Sequence, residues 1–292
     1  MLGTRLRASV ITVAALALAA ALLAAVAARG RGTASDPGKS AGHGPVVIEL
    51  FTSQGCSSCP PADRLLSRLK RDPRLAGTVI PLAFHVDYWN HLGWSDPFSS
   101  ERWSQRQLGY AHVFGTNRIY TPQLVVNGRT ECVGSEESLV MRRIKDALAA
   151  EPAGVVSLTP PAPAAGPAAG AGPGSAAGAK VTVTARLLRP LAGPGADVWV
   201  ALTESGLTTP VRGGENASAT LHDDQVVRLL VKALTLPPAG GAAGAAGPDS
   251  SAEVTLPIDP KWNRAALDVV AFLQDRQSLT IYGAASRPLG AK

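Results

Sequence analysis

The chain has 292 residues, 28 Lys and Arg against 22 Asp and Glu, a formal charge of +6, and three cysteines. That length accommodates two domains, and three cysteines are too few for a small scaffold stapled by disulfides. The basic residues are dispersed and aromatic side chains make up only 5%, so the composition argues against a nucleic-acid partner, which calls for a basic patch interleaved with stacking aromatics.

Residues 1–28 read as a signal peptide or membrane anchor. Arg5 and Arg7 precede an apolar run from Ala8 to Ala28 broken only by Ser9 and Thr12, and Ala25-Val26-Ala27 offers a small-x-small cleavage site. The run approaches the ~20 residues that span a bilayer, so cleavage and retention as an N-terminal anchor both fit. Either one puts the rest of the chain in an extracytoplasmic space (secreted, periplasmic or on the outer face of the cytoplasmic membrane), where disulfides persist. Residues 29–44, rich in Gly, Ser, Lys and Pro, form a flexible tether.

From 45 to 151 the pattern is α/β. Val46 to Phe51 is a near-continuous apolar strand of the kind buried on both faces. It runs into Cys56-Ser57-Ser58-Cys59 and then a helix with Ala62, Leu65, Leu66 and Leu69 on one face, ended by Asp72-Pro73. A second strand spans 79–86. A loop over 87–97, dense in aromatic and polar side chains, leads to a helix over 100–114 stopped by Gly115. Residues 120–126 form a strand with Pro122 near its start, Asn127-Gly128 is a hairpin signal, and 131–134 return. Ser135 caps a last helix whose buried face is Val140, Ile144, Ala147 and Leu148.

Residues 152–292 change character. A Pro/Ala/Gly low-complexity insert fills 160–178, and 239–251 is a second loop of similar composition. Strands are expected at 155–158, 181–185, 197–203, 217–221, 225–236, 252–258, 267–273 and 279–282, with turn residues between them and no helical period. That spacing predicts a small β-sandwich. No cluster in this half looks catalytic.

The chemistry concentrates at Cys56 and Cys59. A strand that delivers a Cys-x-x-Cys pair to a helix N-terminus supplies free N–H groups and a dipole that favour a thiolate. In an exposed pair Cys56 attacks a disulfide and Cys59 resolves the mixed disulfide; a permanent disulfide bracing strand to helix is the competing reading. His85 and Asp87, two apart, share a strand face. With Trp89 and His91 they are candidates to line a groove beside the cysteines. His85, His91 and the two thiols also allow a Cu(I) site, although their spacing is irregular. Cys132 fits either a small buried hydrophobe or a further exchange partner. Asn216-Ala217-Ser218 matches the short N-glycosylation pattern.

Taken together, Cys56-x-x-Cys59, Thr121-Pro122 and the final hairpin plus helix resemble the thioredoxin-like fold, in which the proline after Thr121 takes the place of a cis-proline. Phe51 to Cys56 also looks like the glutaredoxin approach to its site. The whole chain after the signal segment is similar to the bacterial DUF1223 family of exported thioredoxin-like proteins of unknown function. The residues that carry this are Glu49 to Asp63, Phe84 to Trp89, Tyr120 to Gln123 and Gly213 to Asn216. The resemblance implies an α/β thioredoxin-like domain followed by a small all-β domain, with Thr121 and Pro122 walling a substrate groove; Trp89 and Asp87 are candidates to line it by their own spacing, a chance polar strand end being the alternative. It implies a protein or small-molecule thiol or disulfide as partner and no cofactor or resident metal. Ser57-Ser58 replaces thioredoxin's Gly-Pro. Glu49 lies near the position of thioredoxin's buried acid, but its one-residue offset turns it to the opposite face of the strand.

Overall fold

The computed structural model describes residues 44–159, 178–191, 193–238 and 247–290. The signal segment, nearly all of the tether and insert, and most of the 239–251 loop lie outside the described residues.

The N-terminal elements are β1 (Val46–Thr52), α1 (Pro60–Arg71), β2 (Val79–His85), α2 (Glu101–Val113), β3 (Gln123–Val126), β4 (Thr130–Val133) and α3 (Glu137–Leu148). They are followed by β5 (Gly154–Thr159), β6 (Ala179–Leu187), β7 (Ala196–Glu204), β8 (Leu207–Pro210), β9 (Thr220–Asp223), β10 (Val226–Leu236), β11 (Ser250–Leu256), β12 (Leu267–Asp275) and β13 (Ile281–Pro288). α1 and α2 start where their sequences dictate, but Ser135 does not cap α3, whose N-cap position is Glu136 with no side-chain capping bond. Prolines at the first two positions of α1 forfeit only N–H groups that a helix start leaves unbonded, and the Ser100 hydroxyl accepts from the Arg102 N–H to cap α2.

The architecture is mixed α/β. An eight-stranded sheet runs in the order β13-β12-β7-β10-β2-β1-β3-β4. β1 pairs parallel with β2, antiparallel with β3, and β3 antiparallel with β4. Strand alternation then sorts the side chains into two layers. Val46, Ile48 and Leu50 pack with Leu65, Leu66, Val140 and Ile144 of α1 and α3. Val47 and Phe51 face the other way, against Trp103 and Tyr110 of α2.

The boundary expected at 151/152 does not divide this sheet. β10 joins β2 through the Val226–Ala83 register and the Ala83 N–H to Gln225 carbonyl bond. The α2 layer also takes in Ala201, Val227, Leu230, Val270 and Phe272. Sandwich-like packing does occur in the second half, where a three-stranded sheet, β11-β6-β5, buries Val181, Val183 and Leu187 against Val198, Val200 and Leu202 of β7. One layer of that sandwich is therefore the continuation of the N-terminal sheet. The expected strand at 217–221 is displaced as well. Residues 211–219 form a loop between β8 and β9, which pair as a separate hairpin, and β9 lies beside α1.

Candidate functional site

β1 ends at Thr52, and residues 53–59 carry the chain round to α1 with Cys59 at its N-cap position. Cys56 and Cys59 are free thiols. The exposure that disulfide exchange calls for is not present in this conformation, in which both cysteines have 0% relative exposure. Ser58 covers one side, its hydroxyl oxygen 3.2 Å from Cys56 Sγ. Thr121 covers another, its carbonyl oxygen 3.9 Å from the same sulfur, and the Thr121–Pro122 peptide is cis.

The third cover comes from the loop between β8 and β9. Glu215 Oε2 accepts from the Ser57 N–H at 2.9 Å and from the Ser57 hydroxyl at 2.8 Å. The Asn216 side-chain amide donates to the carbonyls of Gln54 and Cys56, both at 2.9 Å. The neighbouring glycines are required by the close approach. A Cβ on Gly213 would lie 2.2 Å from the Gly93 carbonyl oxygen, and Gly214 has φ +69°. The Asn216 side-chain amide is thus engaged within the site.

The two thiols are electrostatically unlike. Cys56 is drawn down to about 6, first by a hydrogen bond from Cys59, against the cost of burial, and then by the Ser58 and Thr121 hydroxyls and the Ser58 N–H. Cys59 is pushed far above an ordinary thiol by burial, by its bond to Cys56 and by the charge of Asp63. The helix start expected to favour the thiolate contributes little by itself. Pro60 and Pro61 have no N–H, and Glu215 takes that of Ser57.

Trp89 and Thr121 come together at this site, since the indole N–H donates to Thr121 Oγ1 at 2.8 Å. Asp87 is directed elsewhere. Its carboxylate accepts from the Ser104 hydroxyl of α2 and its N–H donates to Ser104 Oγ. His85 is 1% exposed and its Nδ1 lies 2.8 Å from Asp96 Oδ2. Burial lowers its pKa, but the Asp96 charge and hydrogen bond, with Asp223 and Asp63 behind them, hold it up at about 9. His91 is exposed. Among the described residues, no group of three His, Cys, Asp or Glu side chains is arranged to hold a metal ion.

Glu49 lies on the opposite face from Thr52, as its offset predicts. Its carboxylate takes a two-pronged bond from Arg106 of α2, at 2.6 and 2.8 Å. Cys132 is core, 5% exposed beneath α1 and α3, and its thiol is pushed up to about 11 by burial.

The sequence reading missed the acidic cluster behind the cysteines. Asp63 accepts from the Thr52 hydroxyl at 2.7 Å, Asp223 accepts from the Gln54 side-chain amide at 2.7 Å, and Asp96 accepts from the Gln54 N–H at 2.8 Å. Only Asp63 left a usable trace in the sequence. It follows Cys59 by four residues, hence on the same helix face.

A family model described as "Protein of unknown function (DUF1223)" matches residues 47–274. Among solved structures the chain is similar to protein AGR_C_4864 from Agrobacterium tumefaciens, at 26% identity and a TM-score of 0.57, over 85% of this chain and 95% of that one. It is also similar to HBP35 of Porphyromonas gingivalis, at 15% identity and a TM-score of 0.55, over 86% of this chain and 77% of that one, a likeness of fold alone. No curated protein matches the chain.

Proposed function

The chain belongs to the DUF1223 family, and we propose that this member is a thiol–disulfide oxidoreductase working through Cys56 and Cys59. We take residues 45–151 to be a thioredoxin-like unit. The β2-β1-β3-β4 order, with β1 parallel to β2 and the rest antiparallel, supports that reading, as does the cis peptide before Pro122 beside the cysteines. Residues 1–28, read as an export segment, put the activity outside the cytoplasm.

The observation that carries the proposal is the asymmetry of the pair. A thiol lowered to about 6 is mostly thiolate at neutral pH, whereas its neighbour stays protonated. The Cys56 thiolate attacks one sulfur of a substrate disulfide, a mixed disulfide forms, and the other substrate sulfur leaves as thiolate. Cys59 then loses its proton and attacks Cys56 Sγ. The products are the Cys56–Cys59 disulfide and the second substrate thiolate, so two electrons have passed to the substrate. The reverse sequence oxidises a dithiol. Thr121, Pro122 and Trp89 wall the side from which the substrate strand docks.

Insulin reduction, with dithiothreitol regenerating the dithiol, tests this. Cys56→Ser is expected to abolish the rate above the reductant-only background. A Cys56→Ser protein as active as wild type would refute the proposal.

A further inference from the structure

β8 and β9 form a two-stranded sheet of their own, so the hairpin depends on what it rests against. It rests on α1, and the packing there is incomplete. A depression of about 460 Å³ separates the helix from the hairpin, with Arg64, Arg68 and Arg71 on one side and Leu207, Thr208 and His222 on the other. A second recess of about 200 Å³ shares Arg64 and His222 with it and reaches Pro60 at the start of the helix.

The charge that reaches solvent in this depression is positive. Arg64 is exposed and has no ion pair among the described residues. Arg68 meets Glu137, an exposed carboxylate outside the depression, and exposed pairs of that kind contribute little and exchange partners readily. The two acids of the depression lie on its floor. Asp223 is buried and accepts from the Gln54 amide, while Asp224 accepts from Arg71 and from the Gly206 N–H. No aromatic ring lines the space, so it lacks the stacking face of a nucleic-acid site. The arginines stand four and three positions apart on α1, about 5–6 Å from one to the next. Side chains on one face of an extended chain repeat at about 6.8 Å. A peptide with carboxylates at alternate positions therefore matches the row, and a recess between helix and hairpin admits a chain where a flat lipid surface would meet only its rim.

The same depression holds the base of the hairpin. The chain enters through Gly206 and leaves through Gln225, both with left-handed backbone, φ +73° and +57°. A Cβ on Gly206 would meet nothing within 4 Å, so no neighbour fixes that end. Asp224 is the tie: its Oδ1 takes the Gly206 N–H at 2.9 Å and its Oδ2 takes Arg71 Nη1 at 2.7 Å. At the far end of the hairpin, Glu215 and Asn216 grip residues 54–57 over Cys56. A partner carboxylate that replaces Asp224 on Arg71 unties the base of the element whose tip covers the cysteine.

We infer that an acidic, extended segment of a partner protein docks between α1 and the β8–β9 hairpin, on Arg64, Arg68 and Arg71. Its docking lifts Glu215 and Asn216 from residues 54–57 and uncovers Cys56. The inference rests on the dithiol reading above only for the use made of the uncovered thiol. Docking and uncovering belong to the surface and the hairpin, and both are measurable without any disulfide exchange.

The test titrates the full chain with a fluorescein-labelled peptide of about ten residues alternating Glu and Ser, read by anisotropy, with a Gln-Ser peptide as control. Cys56 alkylation by iodoacetamide is timed at neutral pH with and without saturating peptide. The Glu-Ser peptide is expected to bind, to weaken several-fold between low salt and about 0.15 M, and to speed alkylation several-fold; the Gln-Ser peptide is expected to do neither. Arg64→Glu breaks no ion pair of the fold, and it is expected to weaken binding about tenfold and to remove the acceleration at the same peptide concentration. Equal binding of the two peptides, or unchanged affinity in Arg64→Glu, overturns the inference. So does peptide binding that leaves the alkylation rate unchanged. Phosphatidylglycerol vesicles that bind wild type and not Arg64→Glu, where the Glu-Ser peptide fails to bind, also overturn it and assign the arginine row to a lipid surface. A wild-type chain that binds the peptide and exposes Cys56 but does not reduce insulin strikes down the dithiol reading and leaves this inference standing.

Discussion

At the scale of single residues, the fold treats two identical thiols unequally. Cys56 receives hydrogen bonds from Cys59, Ser58 and Thr121, which favour its charged form, while Cys59 is buried and feels the Asp63 charge. Because the folded-state value of Cys56 is depressed, the thiolate is present above about pH 6 and lost below it. The rate of alkylation by iodoacetamide is therefore expected to rise through a midpoint near pH 6 and to level off by neutrality. A midpoint at the ordinary thiol value of ~8.5 would refute this. Thr121→Val keeps the shape and removes the hydroxyl. A hydrogen bond to a charged group contributes about 1.5 kcal/mol or more, so the midpoint should move up by about one unit. The cysteine pair was legible in the sequence because Cys-x-x-Cys after an apolar strand is a local pattern. What stabilises its charged form was legible only in part: Cys59 and Ser58 lie within the motif, whereas Thr121 is 65 residues downstream and is tied in by the Trp89 indole. The helix-dipole expectation weakened for a reason already visible in the sequence, since Pro60-Pro61 carries no N–H to offer.

At the scale of elements, the loop between β8 and β9 does what α1 and the cysteine turn cannot do alone. Glu215 and Asn216 supply four hydrogen bonds to residues 54–57, and the Gly213–Gly93 approach seats the loop against the turn that carries Trp94. With both cysteines at 0% exposure, a reagent reaches Cys56 only if some part of this cover moves. The loop is the part held by polar contacts at the surface. Asn216→Ala deletes two of the four bonds. At about 0.5–1.5 kcal/mol each, that lowers the Tm by a few degrees, on the order of 2–4 °C per kcal/mol for a chain of this size. It is also expected to speed Cys56 alkylation several-fold at pH 7 without moving the pH midpoint. A lower Tm with an unchanged alkylation rate would make the loop a brace and not a cover. Its position was the least readable part of the C-terminal half. Apolar alternation gave the long strands β6, β7, β10 and β12, but 211–219 has no period, and only its tertiary partners explain why Gly213-Gly214-Glu215-Asn216 stands there.

At the scale of the whole molecule, the two halves share one layer of core, and this decides whether the first half can stand alone. Arg106 of α2 joins Glu49 on β1 to Gln274 on β12, whose Oε1 accepts from both guanidinium NH₂ groups at 3.3 Å. The Gln274 amide donates to Tyr110 Oη at 2.9 Å, and Arg106 lies over the rings of Phe84 and Phe272, 5.4 Å from each centroid. The sequence offered residue 151 as a boundary because composition and period change there. Composition does not record that the α2 face needs Phe272, Val270, Leu230 and Val227 from beyond the boundary to finish its burial. A chain ending at residue 151 keeps the β2-β1-β3-β4 strands, but Ile80, Leu82 and Phe84 lose part of their cover, and Arg106 keeps its carboxylate while losing Gln274. Full burial of each large apolar side chain is worth about 1.5–3 kcal/mol. Losing a fraction of that at three or more positions takes several kcal/mol from a total stability of about 5–15 kcal/mol. The truncated chain is therefore expected to lack a cooperative thermal transition, read by circular dichroism, and to show collapsed amide dispersion by NMR. Supplying residues 152–292 as a separate polypeptide is expected to restore both. A 45–151 fragment that melts cooperatively by itself would show that the shared layer is a docking interface between two self-sufficient domains.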